Sequence, residues 1–235
     1  MKRILCNKSV ARRLGFQSVL ILCFLSARAF AQGPMTYLSN LSQTPAAYEN
    51  VGSNSWLALG IVTGNNPAGY LLDSVQLKMA DATGAPSGFR VRLYADANNG
   101  SGPFPGSSLV TLTGSTDPSS SGLYTFSPSL TLTLSPGENY FVVVTSDSAV
   151  ADGAYNWSRT ASSTYQSSDN WRLISNGNPL FSSGNGFWGS VPDGPNTYLQ
   201  FALTATPIPE PGTLGLLLVG AAFAGTRCLR RFRGN

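Results

Sequence analysis

The sequence predicts an all-β fold, an antiparallel, jelly-roll-like β-sandwich, and three observations support that prediction. Short runs in which apolar and polar residues alternate with a period of two are typical of strands with one buried face. Clusters of Gly, Pro, Asn and Asp separate these runs and are typical of turns. Strands that bury one face are satisfied when two sheets pack face to face, which is the arrangement of a sandwich.

The predicted strands follow one another along the middle of the chain. Ser74–Met79 and Phe89–Tyr94 each place three apolar side chains on one face and polar side chains on the other. Tyr140–Thr145 is apolar up to its last residue, as expected of a central strand that is covered on both faces. The predicted strands are residues 56–62, 74–79, 89–94, 123–126, 130–134, 140–145 and 199–204.

Residues 1–31 have the layout of a secretory signal peptide. Five basic residues among the first thirteen are followed by an apolar stretch at 19–25, and Ala29 and Ala31 occupy the two positions that a signal peptidase reads. We therefore expect cleavage after Ala31. An uncleaved membrane anchor is the alternative, although its apolar run is well short of the ~20 residues that a span needs.

The final segment, residues 207–235, has three parts in a fixed order. The triplet Pro209, Glu210 and Pro211 comes first, and an uncharged apolar run at 213–226 follows. Proline prevents a helix from extending backwards, and positive charge beside an apolar run marks its cytoplasmic flank. The run is therefore predicted to form a short transmembrane helix. The basic tail that closes the segment contains Arg227, Arg230, Arg231 and Arg233.

These three parts resemble the PEP-CTERM sorting signal of Gram-negative bacteria. The resemblance implies transient contact with a membrane and processing by an exosortase near the Pro-Glu-Pro triplet. It also implies an exported protein that is first held by its C-terminal helix and then lies at the cell surface or outside the cell. The organism would make exopolysaccharide. A plain tail anchor that stays uncut is the alternative.

The charge and cysteine content of the body, residues 32–206, narrow its class. The whole chain has a formal net charge of +4, but the basic residues concentrate in the two ends. The body itself has five basic and ten acidic residues, so no nucleic-acid partner is expected. The three cysteines of the chain all lie outside the body, which therefore cannot be stabilised by disulfides.

Part of the body resembles the choice-of-anchor domains of bacterial surface proteins, type R in particular. Three stretches carry the resemblance, namely LLDSVQLKM, VRLYADANNGSGPFPGSSL and LSPGENYFVVV. They fall within about 56–144, with a looser match up to residue 201. The resemblance implies a β domain found together with different anchoring signals, and it implies no known activity.

The sequence offers little for catalysis or for cofactors. The chain has no histidine, which excludes Ser-His-Asp catalysis and His-ligated metals. No cofactor is expected, with calcium as a weak alternative. Asp96 and Asn98 place oxygen ligands at alternate positions before Gly100, as at the start of a calcium loop. A polar hairpin loop accounts for the same residues.

Tryptophan gives the best indication of a binding site. Trp157, Trp171 and Trp188 lie in the half of the body that resembles the family less, and exposed rings could stack on sugars. Core packing is the other interpretation of all three. We therefore expect a non-enzymatic surface or matrix protein that is associated with exopolysaccharide or biofilm. The alternatives are a carbohydrate-binding module that uses these tryptophans and a glycoside hydrolase.

Overall fold

Antiparallel strand pairing organises the part of the chain that the computed structural model describes, which is residues 32–97, 100, 102–114, 117–184, 186–190 and 197–210. Within these residues there are sixteen strands, a single 3-10 turn at Ile174–Gly177 and no α-helix. Described residues also include no helix long and apolar enough to cross a bilayer. The predicted signal peptide, 1–31, and transmembrane helix, 213–226, lie outside the described residues.

The strands vary in length from two to fifteen residues. In chain order they are β1 Met35–Ser39, β2 Ala47–Val51, β3 Trp56–Val62, β4 Tyr70–Gly84, β5 Arg90–Asp96, β6 Pro105–Gly114, β7 Gly122–Pro128, β8 Thr133–Leu134, β9 Asn139–Thr145, β10 Gly153–Thr160, β11 Gln166–Ser167, β12 Arg172–Leu173, β13 Leu180–Ser182, β14 Gly189–Ser190, β15 Tyr198–Leu199 and β16 Phe201–Pro207.

One continuous path of pairing links most of these strands. Its order is β11-β1-β16-β4-β7-β6-β5-β9-β3-β13-β14. The remaining strands pair beside this path: β10 with β2, β4 and β15, β12 with β3, and β8 with β4. The prediction of an all-β, antiparallel fold is confirmed.

The predicted alternation is confirmed where strands have one covered face. In β4, Val75, Leu77 and Met79 are fully buried, whereas Gln76 and Lys78 between them are partly exposed. The same period recurs in β5. The predicted central strand is confirmed too, because β9 lies between β3 and β5 and is buried from its second residue to its last.

The prediction of a strand at 130–134 is mostly wrong. Only Thr133 and Leu134 form a strand, and the side chain of Leu130 is 75% exposed. Pairing of β7 with β4 ends at Phe126–Val75, and the later segment resumes pairing with β4 at Thr133–Leu71. Six residues, 127–132, therefore face only three residues of β4, 72–74, and the extra residues bulge out, which leaves Leu130 exposed.

The alternation predicted at 199–204 is also incomplete, because its polar side is covered. Gln200 is fully buried, and its side-chain amide donates a hydrogen bond of 2.7 Å to the carbonyl of Gln43. Its own carbonyl accepts hydrogen bonds from Trp157 Nε1 at 3.0 Å and from the Lys78 amide at 3.1 Å. The side-chain nitrogen of Gln200 is thus satisfied, whereas its Oε1 atom is buried without a hydrogen-bond partner among the described residues.

A single large cluster of buried side chains forms the core. It draws Leu38, Leu77 and Leu203 from β1, β4 and β16, and Leu59 and Val142 from β3 and β9 at the other end of the strand order. Fully burying an aliphatic or aromatic side chain of this size contributes about 1.5–3 kcal/mol. The cluster therefore supplies the main stabilisation of Gln32–Ile208, which is one unit of structure by itself.

The difference in burial between two leucines of the LTLTL stretch predicts different effects of their substitution on stability. We expect Leu134→Ala to lower the free energy of unfolding by about 2–5 kcal/mol, because it leaves a cavity at a fully buried position. Leu130→Ala removes an exposed side chain and should change the free energy of unfolding by less than about 0.5 kcal/mol. Urea unfolding of the two variants checks this, and equal losses would mean that the 130–134 segment is a fully packed strand after all.

Candidate functional site

Trp157 is a core residue. It is fully buried on β10, and its Nε1–H donates the hydrogen bond to Gln200 that was described above. Trp171 is buried as well, and its ring stacks on Tyr37 with 4.9 Å between centroids. It also meets the ring of Tyr70 edge-on at 5.0 Å. These two tryptophans have no ring face free for a ligand. The core-packing interpretation therefore holds for both, and the sugar-stacking interpretation does not.

Trp188 differs from the other two because its side chain is only partly buried. It packs against a small buried cluster formed by Ala58, Phe141 and Val143. Its ring lies 6.4 Å from that of Trp56, which is itself partly exposed. The neighbouring Phe187 is 80% exposed. Of the predicted tryptophans, Trp188 is therefore the one with ring surface available to a ligand.

The small cluster lies on what we call the outer face, formed by the even-numbered residues of β3 and β5 and the odd-numbered residues of β9. Residues directly opposite each other in antiparallel strands point to the same side of the sheet. The pairs Arg92–Val143 and Val143–Ala58 therefore place these three side chains in one row. The intervening residues, among them Leu93 and Val142, belong to the main core.

Further rows extend the outer face in both directions along the strands. Tyr94 is opposite Phe141, and Arg90 is opposite Thr145. At the other side, Arg172 of β12 is opposite Val62 of β3. The outer face thus brings Arg90, Arg92 and Arg172 together with the aromatic rings of Tyr94, Trp56 and Trp188.

A glycine allows the outer face to be partly covered. A Cβ atom at Gly60 would lie 2.8 Å from Ile174 Cβ and 2.9 Å from Phe141 Cε1, which is closer than such atoms approach. Ile174 can therefore pack directly on the strand because residue 60 has no side chain. Ile174, Leu180 and Trp188 cover the middle of the face, and the arginines lie around that covered area.

An ion pair holds the first arginine of this face. Arg90 binds the carboxylate of Asp147 with both terminal nitrogens, and the Nη2–Oδ2 distance is 2.7 Å. The hydrogen bond from Arg90 lowers the pKa of Asp147. Gly88 has a φ of +68°, and a Cβ there would collide with the Asp147 side chain. The ion pair therefore depends on the absence of a side chain at residue 88, in the loop before β5.

Most described carboxylates serve as structural acceptors or ion-pair partners. Asp96 accepts hydrogen bonds from the Phe104 amide at 3.1 Å and from Asn139 Nδ2 at 2.8 Å, which ties the end of β5 to β9. A glycosidase instead needs two carboxylates that face each other across a cleft. The carboxylates held in this way are Glu49, Asp73, Asp81, Asp96, Asp117, Asp147 and Asp169.

The calcium interpretation stays a prediction. Its second ligand, Asn98, lies outside the described residues. Within the described part of the chain, no three Asp, Glu, His or Cys residues are grouped so that they could hold a metal ion. Asp96 itself is engaged by Phe104 and Asn139, as a polar hairpin loop requires.

The sorting triplet begins one residue after a fixed point of the fold. The amide of Ile208 donates to the carbonyl of Gly69 at 3.0 Å, and its carbonyl accepts from Asn66 Nδ2 at 3.0 Å. Pro209 and Glu210 follow and are exposed. Pro211, the four tail arginines, and the predicted peptidase residues Ala29 and Ala31 lie outside the described residues.

Residues 207–231 match the PEP-CTERM protein-sorting motif.

This match confirms the resemblance noted in the sequence. The PEP-CTERM motif indicates an exosortase-dependent, exported surface protein of a Gram-negative bacterium, and exosortase is the enzyme that recognises such signals. No curated protein matches the chain, and no solved structure matches it. The choice-of-anchor resemblance of residues 56–144 therefore stays a prediction.

Two buried tyrosines make the fold sensitive to alkali. Burial, together with a hydrogen bond to Asp169, raises the pKa of Tyr70 to about 12. Burial and a 3.0 Å hydrogen bond to Asp117 do the same for Tyr155, again to about 12. Since a free tyrosine ionises near 10, the unfolded chain loses these protons first as the pH rises.

We therefore expect the free energy of unfolding to fall as the pH rises from about 10 to about 12. These are the pKa values of both tyrosines in the unfolded and in the folded chain, respectively. Tyr155→Phe removes one titrating group, so the fall should be shallower in that variant. Urea unfolding across this pH range measures both slopes. Comparing slopes, and not absolute stabilities, removes the constant cost of the hydrogen bonds that the variant loses. Identical slopes would contradict the assignment.

Proposed function

We propose that this protein is a non-enzymatic component of the cell surface or the extracellular matrix, associated with exopolysaccharide or biofilm. The observation that carries the proposal is the PEP-CTERM motif, which follows directly after the last strand of an all-β unit. A folded domain with its sorting signal at the end of its final strand is suited to export and display. It requires no cofactor for that role.

We also infer that the sheet closes into a two-layer sandwich. The inference is supported by the core, in which strands from the two halves of the pairing order contribute to the same buried cluster. A sheet of this length must curve over itself for such distant strands to meet. The sandwich would expose its outward faces to the matrix, and one of these is the outer face of β5, β9 and β3.

A second candidate function is specific carbohydrate binding through Trp188. Its partly exposed ring, close to Trp56 and beside the exposed Phe187, favours this function. Aromatic rings bury large areas and suit the apolar faces of sugars. This module would use one of the three predicted tryptophans together with Trp56.

The sorting part of the proposal predicts that Glu210→Gln blocks processing. In cells that contain the exosortase, we expect the variant to keep its C-terminal arginine tail, because the triplet has lost its charge. Intact-mass measurement of the membrane and secreted fractions detects the tail directly. The control is Glu138→Gln, the same change at an exposed turn of the body. Equal processing of both variants, or equal failure, would contradict the prediction.

The binding alternative predicts that Trp188→Ala weakens association with the producer's own polysaccharide by about tenfold, a typical size for the loss of one aromatic contact. Co-sedimentation of the full chain with isolated polysaccharide measures it. Leu123→Ala, which removes another exposed apolar side chain far along the strand order, is the control. Unchanged association in the Trp188 variant would leave only the general matrix role.

A further inference from the structure

Positive charge is segregated within the body. Residues 32–206 have a net charge of −5, with only five basic residues among them. Three of these five, Arg90, Arg92 and Arg172, belong to the outer face as the strand register defines it. This face also carries two carboxylates, Asp147 beside Arg90 and Asp96 at the end of β5, so its three arginines leave a net charge of +1 there. Even so, the local charge is opposite in sign to that of the domain as a whole.

The two other basic residues are placed elsewhere. Arg159 lies 2.9 Å from Glu49 in an ion pair between β10 and β2, and that pair is mostly buried. Lys78 is on β4, opposite the exposed Leu123 of β7. Lys78 therefore provides a cation of the same charge on a different part of the sheet.

The arginines of the outer face are not equivalent. Arg90 is neutralised by Asp147. Arg92 is partly exposed and Arg172 is exposed, and neither forms an ion pair within the described part of the chain, although the charge of Arg92 also acts on Asp147. These two guanidinium groups therefore remain for an external anion.

Strand spacing sets the dimensions of this surface. Strands β5, β9, β3 and β12 are consecutive neighbours, and adjacent strands lie about 4.8 Å apart. Arg172 is three strands away from Arg92, about 14 Å across the sheet, and its row lies four residues further along β3, about 13 Å. The two residues are thus about 20 Å apart, with the ring of Tyr94 beside Arg92. Trp188 packs on the cluster of Ala58, Phe141 and Val143 in the middle of the face. The cations and rings are therefore spread over a length that suits an extended chain, not a compact small molecule.

We propose that the outer face binds an acidic polysaccharide, one whose sugars carry carboxylates. Guanidinium groups bind carboxylates through two parallel hydrogen bonds, and aromatic rings pack on the sugar planes between the charges. Arg92 and Arg172 supply the charge recognition, and Tyr94 and Trp188 supply the stacking. This inference rests on the proposed association with exopolysaccharide, and it adds the chemical class of that polysaccharide.

The test measures binding of polygalacturonate, an acidic polymer, and of dextran, a neutral one, to the full chain immobilised from detergent solution. We expect polygalacturonate to bind, to bind more weakly as salt is added, and to exceed dextran clearly. The double variant Arg92→Gln/Arg172→Gln should weaken polygalacturonate binding about tenfold. Lys78→Gln removes one charge outside the outer face and should leave binding unchanged.

A second double variant guards against a folding artefact. Arg92→Lys/Arg172→Lys keeps both charges but cannot form bidentate hydrogen bonds with a carboxylate. Its affinity for polygalacturonate should therefore lie between those of the wild type and the glutamine variant. Thermal unfolding of both variants is expected to match the wild type, because the two side chains are exposed or partly exposed.

The remaining outcomes overturn the inference in distinguishable ways. Dextran binding as tightly as polygalacturonate would overturn the acidic class and leave the matrix function intact. An equal loss in Lys78→Gln would overturn the assignment to the outer face. Binding of anionic phospholipid vesicles without binding of polygalacturonate would show a membrane-facing surface instead. Failure of both polymers and of the producer's own polysaccharide would overturn the proposed function as well.

Discussion

The fold depends above all on the pairing of its last strand between its first and one of its middle strands. β16 pairs with β1 along Met35–Ser39 and with β4 along Tyr70–Leu77. Among the described strands, β1 has one other partner, the two-residue strand β11. Without cysteine in the body, no covalent bond can replace this closure. The ends of the domain are therefore held by long-range hydrogen bonds and by the burial of side chains such as Leu38 and Leu203. Because those contacts span most of the chain, they are of the kind that slows folding.

The two faces of β3, β5 and β9 show how one strand pairing can serve two purposes. One set of side chains, including Leu59, Leu93 and Val142, enters the main core. The alternate set supplies Arg90, Arg92, Tyr94 and Trp56 to the outer face, with a small apolar cluster at its centre. A shift of register by one residue would exchange these sets and would place arginine in the core. The stability of the core thus also fixes the position of each charge on the surface.

Local pattern predicted much of this fold and little of its surface. The period of two located β4 and β5, and the unbroken apolar run located β9, because those signals depend on the strand's own side chains. The same signal failed at Leu130, where six residues of the chain face only three residues of β4 and the extra ones bulge out. It failed at Gln200 as well, because a loop covers that side of the strand.

The residues of the proposed binding surface were harder to predict for the same physical reason. Whether Trp157 is buried depends on which strands flank β10, and strand partners cannot be read from a single stretch of sequence. Arg92 and Arg172 are eighty positions apart in the chain, and only the pairing of β5, β9, β3 and β12 brings them onto one face. The sorting motif needed no such information, since all of its parts are contiguous.

The antiparallel contact of β1 with β16 has a geometric consequence for export. Met35, near the beginning of the body, lies opposite Ala205, near its end. The polypeptide consequently enters and leaves the domain at the same pole. Nearly the whole length of the body, from residue 35 to residue 205, is thus arranged between two neighbouring points of one strand pair.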